Sequence, residues 1–234
     1  LFSSKTPIPL RLSHLRRWDW GLIWRIVRIS LPNIGETIVS RMGFILFMRI
    51  VSALGTVALA AHQIALRVES LAFMPGWGLA TAAAALVGQA LGARKADVAE
   101  QGIRRTLLMG NGTMALIGAL FVALGPAIVR LFGVQDAVLV GAATMVVRIS
   151  ALELFGLCSV MIIGGCLRGA GDTRTPMVVT LAGTLLFRVP TTYLFAILLD
   201  GGLKGVWLAT ATDWSMRALI MFFLYMRGRW KRVT

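Results

Sequence analysis

The stretch VALAAHQIALRVESLAFMPGWGLATAAAALVGQAL, residues 57–91, decides the fold because it stays mostly apolar for longer than an ordinary soluble helix. About 20 mostly apolar residues in helical form are enough to cross the hydrocarbon core of a bilayer. The stretch therefore predicts a membrane-spanning helix. It also carries His62, Arg67 and Glu69, which hydrocarbon disfavours, and then Pro75.

Composition extends this prediction to the whole chain. Of the 234 residues, 57% are hydrophobic and 15% are charged, whereas soluble domains average about 45–50% apolar and about 25% charged residues. A soluble protein needs a polar coat, and long parts of this sequence have almost none. Lipid is therefore the expected surroundings of most of the chain.

Six apolar segments are long enough to span a bilayer, and glycine, proline and charged residues separate them. We predict an all-α polytopic membrane helix bundle with transmembrane helices at 31–52, 57–91, 103–125, 138–167, 177–199 and 205–226. Residues 1–30 are predicted to form a cytoplasmic or interfacial linker helix, 31–226 the six-helix bundle and 227–234 a basic cytoplasmic tail. The tryptophans and arginines of 12–29 fit either a helix in the headgroup layer or an aromatic belt. Because the chain opens with Leu1 and lacks a signal-peptide pattern, we expect it to start inside a longer protein.

The formal net charge of +14 would suit nucleic-acid binding, so the distribution of basic residues has to decide. Arg49, Arg130 and Lys204 fall on one side of the predicted spans, and sixteen basic residues fall on the other, including both ends of the chain. By the positive-inside rule, both termini lie in the cytoplasm and the protein is a multi-pass protein of the cell (inner) membrane. The lipid bilayer is then the expected partner, and no nucleic acid is needed.

Charged residues inside the predicted spans are the informative ones, because each would cost about 2.5–3.5 kcal/mol at a lipid-facing helix centre. We expect these side chains to face one another, backbone or water in the bundle interior, which implies a polar cavity and a path for a solute or ion. The nine residues are Glu36, Arg41, Arg67, Glu69, Arg148, Glu153, Arg188, Asp213 and Arg217.

Helical spacing separates some of these charges from others. Asp213 and Arg217 are four residues apart, which fits a structural pair within one helix. Pairs five apart, such as Arg148 and Glu153, do not share a face, so each partner needs another helix or water. In the opening stretch His62 and Glu69 are seven apart and share a face. His62 fits either a satisfied interior histidine or a proton carrier, and Glu69 either an ion pair or transport chemistry.

Pro75 and Gly76 are the predicted hinge of the second span, because proline removes a backbone hydrogen bond. Other chemistry is missing from the sequence. It has no phosphate-binding loop, no metal-ligand cluster and only two histidines, so we predict no enzyme activity, no metal and no cofactor. Uphill transport would then need an ion gradient.

Two stretches resemble the multidrug and toxic compound extrusion (MATE) family of transporters. They are GTVALAAHQIALRVESLAFMPGWGLATAAAALVGQALGARKADVA at 55–99 and CLRGAGDTRTP at 166–176. The resemblance implies a transporter of two six-helix lobes that exports drugs or other cationic or amphipathic compounds by alternating access, in antiport with Na⁺ or H⁺. This chain would be the carboxy-terminal lobe, helices 7 to 12. The implied partners are a small-molecule substrate and an amino-terminal lobe of the same protein or a second copy.

Members of this family often carry an acid two turns past the proline of helix seven and another in helix ten. The corresponding positions here are Ser40 and Leu157, and Glu36 and Glu153 each lie four residues earlier. One hypothesis is that the coupling site has moved by one helical turn with both acids kept; the alternative is that these acids are unrelated to coupling. The candidate cation-coupling residues are Glu36, Glu153 and Asp213, and the candidate substrate or cavity lining is His62, Glu69, Arg41, Arg148 and Arg188.

Two other functions fit the same residues. Five interior arginines would also suit a flippase or exporter of lipid-linked or anionic solutes in the same superfamily. A six-span chain could instead be a membrane assembly subunit without transport activity.

Overall fold

The computed structural model describes residues 19–228 and Trp230; at positions 22, 25, 26, 28–30, 32, 33 and 36 it describes the backbone alone. The chain divides into two compact units, residues 1–38 and 39–234. The described part of the first unit is the start of helix α1 (Trp20–Ala53), where Trp24, Leu31 and Ile34 are exposed.

The second unit contains the end of α1 and five further long helices. These are α2 (Thr56–Gly92), α3 (Ala96–Leu131), α4 (Ala137–Gly169), α5 (Arg174–Leu198) and α6 (Gly202–Met226). No strand occurs between residues 19 and 228, so the all-α prediction is confirmed. Helices α2 to α5 are long and apolar enough to cross a membrane. For α1 and α6 a full crossing stays a prediction.

Helix α1 begins at Trp20, eleven residues before the predicted first span. It runs through position 30 without a break in its backbone, so the boundary between linker and bundle remains a prediction. The basic tail at 227–234 falls mostly outside the described residues.

Helix α3 does not end where the sequence predicted. The predicted third span ends at Gly125, but the helix continues to Leu131 with Pro126 inside it. Proline has no N–H, so it leaves the carbonyl four residues earlier, Val122 O, without its helical donor. Arg148 Nε of α4 donates to this oxygen at 3.1 Å. A side chain from the neighbouring helix thus replaces the missing backbone bond.

Helix α4 is the centre of the bundle. Of an 18-residue apolar stretch of α4, 61% is buried inside the bundle, whereas 22–28% is buried for the equivalent stretches of α2, α3 and α5. Glycines let its backbone approach two neighbours, since a Cβ at Gly165 would stand 2.5 Å from Ala80 O and one at Gly169 would overlap Ala84 O. Near the middle of α4, a Cβ at Gly156 would lie 2.8 Å from the Trp214 backbone in α6.

Helix α5 is not uniformly α-helical. Two stretches, Gly183–Arg188 and Leu194–Leu198, have π-helical hydrogen bonding, and five α-helical residues separate them. Each π turn holds one residue more than an α turn and widens the helix locally. The first stretch ends at Arg188, which belongs to the site described next.

Candidate functional site

A buried ion-pair network lies between α5 and α6. Asp213 is fully buried and accepts hydrogen bonds from Arg217 Nε at 2.7 Å and Arg217 Nη2 at 2.8 Å. Arg188 Nε of α5 donates to Asp213 Oδ2 at 2.8 Å. The pairing of Asp213 with Arg217 predicted from their spacing is confirmed, and the carboxylate has a second cation that the spacing did not reveal.

Arg217 also forms hydrogen bonds from α6 to a backbone oxygen and a side-chain hydroxyl group of α5. Its Nη1 donates to Thr180 O and its Nη2 to Thr184 Oγ1, both at 3.3 Å. The guanidinium fits because position 183 is glycine, where a Cβ would overlap the Arg217 side chain. Trp214 packs against both cations, with its ring centroid 5.3 Å from Cζ of Arg188 and of Arg217.

Two further carboxyl groups complete the cluster. Glu153 of α4 is fully buried, and apart from the carboxyl group of Glu69 neither of its oxygens has a hydrogen-bond partner among the described residues. Glu69 of α2 is 7% exposed and adjoins Glu153, and both carboxyl groups lie within electrostatic range of Arg188. Three carboxyl groups therefore share two guanidinium groups, which leaves one negative charge in excess when all are ionised.

His62 lies at the edge of this cluster between two aromatic rings. The ring centroids of Phe47 and Trp207 are 5.5 and 5.4 Å from the imidazole. Neither imidazole nitrogen has a hydrogen-bond partner in the described part of the chain. The prediction that His62 shares a face with Glu69 is confirmed by their common burial, whereas Arg67 is exposed.

Residues 32–194, more than half of the chain, match the sequence profile of the MatE family. The chain belongs to the MATE family. A probable multidrug resistance protein NorM from Thermotoga maritima is 27% identical over 91% of this chain and 46% of its own length. The chain spans about half the length of the curated relatives that it matches.

Solved MATE structures share the fold. One of them is described as the outward-facing conformation of a multidrug resistance MATE family transporter. It superposes with a TM-score of 0.82 at 21% identity, over 98% of this chain and 51% of that one. A structure described as the inward-facing conformation of such a transporter has a TM-score of 0.82 at 19% identity. That match covers 100% of this chain and 53% of the other. The prediction of one lobe of a membrane transporter is therefore supported by family and fold, and the chain is a membrane protein.

Within this MATE lobe the predicted site residues fall into separate places. Asp213, Glu153, Glu69, His62 and Arg188 come together in the cluster. Pro75 lies inside a continuous α2, and Gly76 is buried with its Cβ position 3.4 Å from Met114 and Met161. Their role as a hinge stays a prediction. The side chain of Glu36 lies outside those described.

Arg41 and Arg67 are exposed on this chain, so their expected place facing a polar cavity is not inside this lobe and stays a prediction. Arg148 is also exposed, although it bonds to the backbone as expected. None of the three forms an ion pair with a described acid. They are therefore separate from the buried cluster.

Several residues of the cluster were missed by sequence reasoning. Thr180 and Thr184 accept hydrogen bonds from Arg217. Trp207 packs against His62, and Trp214 packs against Arg188 and Arg217. One signal was available, because Trp207 and Trp214 are seven residues apart and so share a face of α6 close to Asp213. The two threonines carry no such signal, since small polar residues are common in membrane helices.

Proposed function

We propose that this chain is the carboxy-terminal lobe of a transporter that exports cationic or amphipathic compounds in exchange for Na⁺ or H⁺. Its partner would be an amino-terminal lobe, in the same protein or in a second copy, and both termini would lie in the cytoplasm. The observation that carries the proposal is Glu153, a fully buried carboxyl group that has no hydrogen-bond partner among the described residues except the neighbouring carboxyl group of Glu69.

An ionised carboxylate in such a place is strongly disfavoured unless something compensates its charge. Arg188 and Arg217 are already bound to Asp213, so their charge is shared. A proton or a monovalent cation at Glu153 and Glu69 would remove the excess negative charge. The cluster therefore has the properties of a site that alternates between an ion-loaded and an ion-free form.

Exchange follows if the ion and a cationic substrate compete for the same negative charge. A ligand shifts a conformational equilibrium only when its affinity differs between the two states. Ion binding at Glu153 would weaken the attraction for a cationic substrate and favour the inward-facing state. Arg188, whose side chain is 21% exposed, is where the cluster reaches the surface of the chain, and we place ion entry there.

Replacing Glu153 with glutamine in the full-length transporter should reduce ion-driven export by about 10- to 100-fold, the usual size of a coupling between two ligands. The amide has the shape of the acid but cannot release a proton or carry a negative charge. Export of a fluorescent cationic dye from proteoliposomes, driven separately by a Na⁺ gradient and a pH gradient, measures the effect. Glu36→Gln is measured in parallel.

The matched control is Asp97→Asn, which likewise converts an acid to its amide at an exposed position of α3. Export by this control should equal the wild type. Unchanged export with unchanged ion dependence in Glu153→Gln would reject the role of Glu153. Absence of any gradient-driven export by the wild type would favour an assembly subunit.

Single cysteines test the orientation. A membrane-impermeant maleimide added to intact cells should label Gln135→Cys and Asp200→Cys, in the connections after α3 and α5, and should leave Ala93→Cys and Thr173→Cys unlabelled until the cells are opened. The native Cys158 and Cys166 are buried and should not interfere. Labelling of Ala93→Cys in intact cells would reverse the proposed topology.

The alternative of an anionic or lipid-linked solute rested on five interior arginines. Arg188 and Arg217 share Asp213, and the cluster around them has one more carboxyl group than guanidinium groups. An excess of negative charge favours cations over anions at this site. Competition of dye export by anionic and cationic amphiphiles separates the two cases.

A further inference from the structure

A cavity of about 610 Å³ lies at the end of the bundle where α3 ends and α4 and α6 begin. Three cationic side chains line it, Arg130, Arg148 and Lys204. No carboxylate lines the cavity, and none of the three cations forms an ion pair with a described acid. Their charges therefore lack a counter-anion within the described part of the chain.

Of the three cations Arg148 lies farthest from the end of its helix, and it is exposed on this chain. It lies eleven residues after the start of α4, about 16 Å along the helix axis. Its Nε donates to Val122 O, the carbonyl oxygen that Pro126 leaves without a helical donor. Its two Nη groups have no partner among the described residues. Asp136, the acid nearest to the cavity in sequence, accepts from Leu139 N at 2.7 Å as the cap of α4.

A buried hydroxyl group gives a second, independent indication. Thr144 lines the cavity one helical turn from Arg148 and is only 7% exposed. Its Oγ1 has no hydrogen-bond partner in the residues that the structure describes. A buried hydroxyl group is rarely left without a partner in a native protein. An anion bound between Thr144 and Arg148 would accept from both.

The rest of the cavity wall is apolar and includes Pro126, Val140, Met145 and Ile149. A small hydrated anion gains nothing from such a wall. An anionic phospholipid suits both parts, because its phosphate would contact the cations while an acyl chain buries the apolar side chains.

We propose that this cavity binds the phosphate headgroup of an anionic phospholipid, with Arg130, Arg148, Lys204 and Thr144 as its ligands. In the topology given under Proposed function the cavity faces the outer leaflet, and only this choice of leaflet rests on the proposed function. Two of the three basic residues assigned to the outer side, Arg130 and Lys204, are gathered here.

The test uses the purified full-length protein in detergent micelles, titrated with phosphatidylglycerol, with phosphatidylcholine of the same acyl chains, or with inorganic phosphate. Native mass spectrometry measures binding, and the midpoint of thermal unfolding measures its effect. The variant Arg130→Gln/Arg148→Gln/Lys204→Gln should bind phosphatidylglycerol on the order of a hundredfold more weakly, since each cation near an anionic lipid contributes about fivefold. The control Arg94→Gln/Arg104→Gln/Arg105→Gln removes equal charge at the other end of the bundle and should bind like the wild type.

A second variant keeps all the cations. A Cβ at Gly141, which lines the cavity, meets no atom within 4 Å, so Gly141→Leu would fill the cavity without a backbone collision. It should weaken phosphatidylglycerol binding by about tenfold, the equivalent of one to two buried methylene groups. Gly112→Leu in α3, where a Cβ also meets nothing within 4 Å, is the matched control and should bind normally.

Equal binding of phosphatidylglycerol by the wild type and the triple glutamine variant would overturn the proposal. Equal stabilisation by inorganic phosphate, or by phosphatidylcholine, would overturn the assignment to an anionic lipid. Because binding is measured without transport, the outcome does not depend on whether Glu153→Gln affects export.

Discussion

Replacing Asp213 with alanine should lower the free energy of unfolding by about 3–5 kcal/mol, the usual cost of removing one partner from a buried ion pair. Asp213 is fully buried and is bound by both Arg188 and Arg217. Alanine would leave two guanidinium groups in the interior without the carboxylate between them. Denaturant unfolding in mixed micelles, followed by tryptophan fluorescence, measures the change.

Two further variants decide whether the cost arises from uncompensated charge. Asp213→Leu/Arg188→Met/Arg217→Met removes the whole network and should regain most of the lost stability, since apolar replacement of a buried ion pair is often close to neutral. The control Asp97→Ala, at an exposed acid in the first turn of α3, should cost no more than about 1 kcal/mol. If Asp213→Ala costs no more than Asp97→Ala, the network does not stabilise the bundle.

The double variant Gly165→Ala/Gly169→Ala should destabilise the bundle by about 1–3 kcal/mol for each site, the typical cost of overpacking. The new methyl groups would meet Ala80 O and Ala84 O, which are backbone atoms and cannot rotate away. Helices α2 and α4 would therefore have to separate. The same unfolding experiment measures the effect.

Gly141→Ala is the matched control in α4, because a Cβ there meets nothing within 4 Å. Alanine favours a helix over glycine by up to about 1 kcal/mol, so this control should be neutral or slightly stabilising. A double variant as stable as Gly141→Ala would show that the approach of α2 to α4 is not a constraint.

The sequence predicted well what depends on neighbouring turns of one helix. Apolar length located the helices, and the four-residue spacing located the Asp213 and Arg217 pair. The seven-residue spacing placed His62 and Glu69 together on the buried face of α2. Helical periodicity fixes these relations before any helix packs against another.

Contacts between helices could not be predicted in the same way. Arg188 and Asp213 are 25 residues apart, and their pairing depends on how α5 is rotated against α6. The continuation of α3 through Pro126 depends on a donor from α4, Arg148. Neither this rotation nor this donor can be predicted from the local sequence pattern. The exposed positions of Arg41 and Arg67 also depend on how the helices pack.

The π-helical stretch Gly183–Arg188 has a consequence for comparing this protein with its relatives. A π turn contains one residue more than an α turn, so every side chain after it is rotated by about 100° from where an uninterrupted α-helix would place it. A relative whose equivalent helix is purely α-helical would be one residue shorter at this point. Alignments that forbid gaps within helices would then misassign the residue equivalent to Arg188 by one position, and with it the cation that shares Asp213.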